Sequence, residues 1–185
     1  MRKLMLVGVA ALFAATSFAA DIGGVKLADK AAVGGQELVL NGGAVRTKAI
    51  FKVYVGSLYL PAKAGDLAGV IAKGPRRIQM NLLRDLSADQ LIDALNDGLK
   101  DNNSEAELAA VKAQQIQFAT IMKAFGDVKE GNVVTLDFVD DGTAIGLNGA
   151  AKGAIPGEAF NRALTRIWLG EKPAQADLKK AMLGG

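Results

Sequence analysis

GGAVRTKAIFKVYVGSLYLP, residues 42–61, decides the fold. Its apolar residues recur with the two-residue period of a strand, not the 3.6-residue period of a helix. Residues 36–46 and 50–60 therefore read as two strands, and Pro61, which has no N–H to give a ladder, ends the second. In that second strand Phe51, Val53, Val55, Ser57 and Tyr59 share one parity, while Ile50, Lys52, Tyr54, Gly56 and Leu58 share the other. The stretch also carries Arg46, Lys48 and Lys52. Three cations there can form a solvated face, a stabilising pair, or the anchor of an acidic ligand.

Outward from this segment the elements follow in order. Residues 21–35, punctuated by Gly23-Gly24 and Gly34-Gly35, read as irregular or weakly β. A short helix is expected at 65–72 and a strand at 76–83. Ser87 to Gln90 has the pattern of a capping box, and Leu91, Ile92, Leu95 and Leu99 form one helical stripe. Ser104 to Glu107 repeats the start signal, and Leu108, Val111, Phe118, Met122 and Phe125 continue a second helix. A strand at 132–139, a turn at Asp140-Asp141-Gly142 and a partner at 143–147 make a hairpin. Asn148-Gly149 gives another turn and a short strand to Ile155. Pro156-Gly157 opens a helix with Phe160, Ala163, Leu164, Ile167 and Trp168 on one stripe, stopped by Gly170, and 177–183 is a last short helix. Adjacent hairpins and single-stripe helices predict an α+β fold, a large antiparallel sheet with helices packed on one face.

The chain of 185 residues reads as one domain, 20–185, behind a secretory signal at 1–19. MRK is a positive start, LMLVGVAALFAA an apolar run too short to span a bilayer, and Ser17-Phe18-Ala19 sets small residues for cleavage after Ala19. The expected location is periplasmic or secreted. Without Arg2 and Lys3, 20 basic side chains face 19 acidic ones, which leaves no charge argument for nucleic acid. The chain has no histidine and no cysteine. Imidazole acid–base chemistry, Ser-His-Asp and Cys-His nucleophile systems, disulfides and the usual zinc, copper, haem and iron–sulfur ligand sets are excluded by that composition. No phosphate loop or dinucleotide fingerprint occurs, and no cofactor or metal is expected.

The run GGAVRTKAIFKVYVGSLYLP closely resembles the N-terminal signature of chalcone isomerase-like proteins, especially their secreted bacterial branch. IQMNLLRDLSADQLIDAL and VTLDFVDDGTAIGLNGAAKGAIPGEAFNRALTRIWLG agree with later segments of that family, in the right order. The resemblance implies an open-faced β-sandwich with a cleft between a large antiparallel sheet and its helices. It also implies either closure of a chalcone ring or non-catalytic binding of a fatty acid whose carboxylate meets an arginine and a tyrosine. By motif, Arg46 matches the key arginine, and Tyr54 stands where the enzymes have threonine and the fatty-acid binders tyrosine. The catalytic tyrosine of the enzymes belongs at the strand-to-helix junction, which here reads Arg84-Asp85-Leu86-Ser87.

A guanidinium presents a planar fork that matches the two oxygens of a carboxylate. Arg46 is the leading candidate ligand residue, against the alternative of a surface arginine paired with an acid. Tyr54 can donate its hydroxyl to the same group, or sit in the core with its hydroxyl at the sheet edge. Lys52, Arg84, Ile167 and Trp168 are second-rank candidates: Lys52 at a rim or solvated face, Arg84 otherwise paired with Asp85, and Ile167 and Trp168 along a ligand's tail. The expected function is non-catalytic periplasmic binding of fatty acids or similar amphipathic acids. The alternatives are a chalcone isomerase-type lyase acting on a phenolic substrate, and a protein-interaction module without a small ligand.

Overall fold

The computed structural model describes residues 18–72, 74–139 and 142–185. Nearly all of the expected signal segment, residues 1–17, and the aspartates of the 140–142 turn lie outside the described residues. The described residues form nine strands and six helices: β1 (Phe18–Ile22), β2 (Val25–Ala28), β3 (Lys30–Val33), β4 (Gln36–Lys48), β5 (Phe51–Leu60), α1 (Leu67–Ile71), β6 (Arg76–Leu82), α2 (Ala88–Asn102), α3 (Glu105–Ala110), α4 (Lys112–Phe125), β7 (Val133–Val139), β8 (Gly142–Leu147), β9 (Ala150–Pro156), α5 (Glu158–Leu169) and α6 (Ala176–Met182). Strands β3 to β9 form one antiparallel seven-stranded sheet in chain order.

The expected α+β sheet-and-helix fold is what the chain adopts. On β6 and β7 the alternation is clean: Ile78, Met80, Leu82, Val134, Leu136 and Phe138 are buried against the helices. Gln79, Asn81 and Thr135 take the intervening positions, as do Arg77 and Asp137, joined by an ion pair of 2.5 Å. One apolar and one polar face on the same strands give the sheet its open side. All six helices except α3 contribute buried residues to the core on the covered face, where Phe118 and Phe160 meet with ring centroids 6.0 Å apart.

Three details differ from the sequence reading. Of the two readings of 21–35 the β one holds, and more strongly than expected: β1 pairs with β2, and β3 pairs with β4. The two Gly-Gly pairs make the turns with φ of 60° and 85°, and 56° and 80°, values that only glycine takes at little cost. A second, smaller core of Leu27, Val33, Leu38, Leu40, Val55 and Tyr59 lies at this end of the sheet. Strand β1 includes the expected cleavage position, and Ala20, Asp21 and Ile22 beyond it pair with Leu27, Lys26 and Val25. Finally, the helix expected from 104 onward breaks at Val111 into α3 and α4, because Val111 turns its side chain fully into the core.

Both capping boxes form as expected. Ser87 Oγ accepts from the Gln90 N–H while Gln90 Oε1 accepts from the Ser87 N–H, and Ser104 and Glu107 repeat the exchange. These caps set where α2 and α3 begin, and α2 supplies one wall of the site described next.

Candidate ligand-binding site

The site is built on the β4–β5 hairpin. Antiparallel register sets Arg46 directly opposite Tyr54, so both side chains leave the same face of the sheet. One step toward the tip, Thr47 pairs with Lys52, which leaves Val53 as an extra residue on β5. This bulge reverses the side-chain alternation. Phe51 and Val53 therefore join Tyr54 on the helix-covered face, and Lys52 turns away from it.

A cavity of about 460 Å³ opens between this part of the sheet and helices α2, α4 and α5. Val53, Met80, Val134 and Leu136 form its floor, and Leu91, Leu95, Phe118, Met122, Ile167 and Trp168 cover it. Arg46, Lys48, Phe51 and Arg84 line its hairpin side, while Asp93 and Asp97 come from α2. Of the sequence candidates, Arg46, Tyr54, Arg84, Ile167 and Trp168 line this one cavity, and Lys52 does not. The parity that grouped Lys52 with Tyr54 is broken by the bulge at Val53.

Tyr54 is buried, and its hydroxyl oxygen accepts a 2.9 Å hydrogen bond from Trp168 Nε1. Its own proton has no acceptor among the described residues. Burial pushes the Tyr54 hydroxyl above the usual phenol range, and this outweighs Arg46 and the Trp168 N–H, which both lower it. At neutral pH the phenol is a fixed, protonated donor. The Arg46 guanidinium sits 5.8 Å from the centre of the Tyr54 ring. Among the described residues no carboxylate lies within ion-pair distance of it. The arrangement thus presents an unneutralised fork and a spare hydroxyl donor beside an apolar chamber.

Arg84 is exposed and stacks over Phe51 at 4.9 Å, so the expected pair with Asp85 is replaced. Asp85 instead accepts from the Glu130 N–H at 2.9 Å and from Lys129 Nζ at 3.0 Å, and these hold its carboxyl below the usual range. Sequence reading overlooked a second cation. Arg76 is buried beside Phe138, with its Cζ 4.7 Å from the ring centre. Its guanidinium donates to Thr165 Oγ1 at 2.9 Å and to Asn161 Oδ1, and burial, aided by Arg162, lowers its pKa to about 10. The i, i+4 spacing of Asn161 and Thr165 inside an apolar helical stripe was the available signal.

Fold and cavity together define a class: a seven-stranded antiparallel meander covered by helices, with an apolar chamber in the joint. The chain belongs to the chalcone isomerase-like family, whose model matches residues 19–184. Comparison of the sequence with curated proteins finds no match. Among solved structures, the fatty-acid binding protein of Arabidopsis thaliana has a similar fold, with a TM-score of 0.63 at 13% identity. The similarity covers 83% of this chain and 95% of that one.

Proposed function

We propose that the chain is a non-catalytic binding protein for fatty acids or similar amphipathic carboxylic acids, acting in the periplasm or outside the cell. The single observation that carries this reading is Arg46, without an acid partner among the described residues, beside the spare Tyr54 hydroxyl at an apolar cavity. In this reading the ligand's carboxylate bonds to both, and its chain lies along Phe118, Met122, Ile167 and Trp168. A volume of about 460 Å³ falls within the range of small-molecule sites. Each buried methylene contributes about 0.8 kcal/mol, so a tail of about a dozen contributes roughly 10 kcal/mol before ordering costs.

Two further observations support the reading. The structure with a similar fold is described as a fatty-acid binding protein. A phenol held protonated by burial serves as a donor rather than as a base. The apolar run and small-residue cleavage pattern at the N-terminus support the location.

The test is denaturing extraction and mass spectrometry of protein purified from the periplasm, with Arg46→Ala in parallel. A stoichiometric fatty acid is expected in the wild type. Loss of a charge-assisted hydrogen bond should lower affinity by about 10- to 100-fold in the variant. A wild type that arrives empty and takes up no added fatty acid would sink the proposal.

A further inference from the structure

The turn joining β4 to β5 is unlike the rest of the surface. Residues 47–52 are all exposed, and at their centre are Ile50, 85% exposed, and Phe51, 53% exposed. Among the described residues only one other large apolar side chain, Ile116, is comparably exposed. An adjacent apolar pair at a hairpin tip loses stabilisation by facing water; Phe51 is half covered by Arg84 and the cavity, whereas Ile50 is almost wholly in solvent. Ala49 in the same turn has a φ of 55°, a strained value for a residue with a Cβ.

The charge around the pair has one sign. Residues 38–65 contain no Asp or Glu, although the chain outside the N-terminal segment is nearly balanced. Lys48 and Lys52 flank the apolar pair, Arg46 lies one step down β4, and Arg84 stacks on Phe51 from the β6 side. Of the elements facing this side, α2 brings Asp93 and Asp97 to the far wall of the cavity. Neither forms an ion pair with the tip cations among the described residues. Next to the turn the Thr47 N–H donates to Gln175 Oε1 at 2.8 Å, which ties the end of β4 to the N-cap residue of α6.

We infer that this tip is a membrane-docking element, with Ile50 and Phe51 entering the acyl boundary and Lys48, Lys52 and Arg84 meeting anionic headgroups. Apolar residues ringed by cations have the chemistry of an interfacial anchor. Continuity with the cavity gives the docking a use. Phe51 and Ala49 line the cavity mouth, so a bilayer touching the tip lies at the opening through which an acyl chain passes. That use rests on the binding function proposed above, whereas the docking does not.

The experiment is flotation with vesicles of phosphatidylcholine alone or mixed with phosphatidylglycerol, on wild type, Ile50→Asp and Ile50→Trp. Ile50 lies outside the cavity lining. Uptake of a soluble fluorescent fatty acid is measured separately without vesicles. Wild type is expected to partition on anionic vesicles at least about tenfold more strongly than on neutral ones, and to be released by high salt. Ile50→Asp should lose about tenfold or more of that partition while taking up the fatty acid like wild type. Ile50→Trp should keep docking and shift its emission to the blue on vesicles.

A wild type that takes up the fatty acid but ignores anionic vesicles overturns the docking and leaves the function standing. Ile50→Asp docking as well as wild type also overturns it. A wild type that docks but takes up no fatty acid supports the surface and counts against the function.

Discussion

Tyr54 shows how one side chain couples stability to the site. Its oxygen accepts from the buried Trp168 N–H, and its proton is left for a ligand. Tyr54→Phe removes both. The unpaired Trp168 donor should cost about 1–3 kcal/mol of stability, measured by chemical denaturation without ligand, and the lost ligand bond should weaken fatty-acid binding by about tenfold or more. A variant as stable as wild type would mean that the Trp168 bond is not made in solution. Residue type and motif position pointed to Arg46 and Tyr54, and both line the cavity. Lys52 stands exposed, as the solvated-face reading had it, but the reason for its turning away from Tyr54 is the bulge at Val53, which no pattern of residue types discloses.

Helix packing sets the cavity at the scale of elements. A Cβ built on Gly98 of α2 would lie 2.7 Å from Ile167 Cγ2, so α2 and α5 cross at a spacing that only glycine permits there. Gly98→Val should cost about 1–3 kcal/mol by overpacking and, by displacing Ile167 and Trp168, reduce the bound fatty acid. Wild-type denaturation and ligand content in that variant would show the crossing to be looser than described. The contact between α3 and α5 titrates. Arg166, with the Ser104 N–H and hydroxyl, holds the Glu107 carboxyl down to about 2 from 4.5. A depressed carboxylate adds stability that is full above 4.5, shrinks through that window and is gone below about 2. Wild type should therefore exceed Glu107→Gln in urea midpoint near neutral pH, with the two curves converging toward the acid end. The capping boxes that begin α2 and α3 were legible, since they are local hydrogen bonds written in four residues; the break at Val111 was not, since core packing causes it.

For the whole molecule, stability rests on two apolar cores on opposite faces of one sheet. With no cysteine or histidine in the chain, chelator and reductant should leave the melting temperature unchanged within about 1 °C, as read by scanning calorimetry. A drop of several degrees with either would contradict this account. The succession of elements along the chain was legible because the hairpins carry their own turn residues, whereas the pairing of β6 with β7 across α2, α3 and α4 was decided by the tertiary structure. The two N-terminal hairpins were only half legible, as weak β, although Gly23-Gly24 and Gly34-Gly35 carry the left-handed turn signal, because β2 and β3 between them are only four residues long.

By itself the sequence determined the succession of strands, the capped starts of α2 and α3, the absence of imidazole and thiol chemistry, and the family to which the chain belongs. These are properties of neighbouring residues or of composition. Only the tertiary structure decided which cations face the cavity, how the helices roof it, and that Ile50 and Phe51 stand exposed beside its mouth. A single extra residue in β5 exchanges the two faces of the strand, and the partner strand, not the local sequence, determines where that exchange falls.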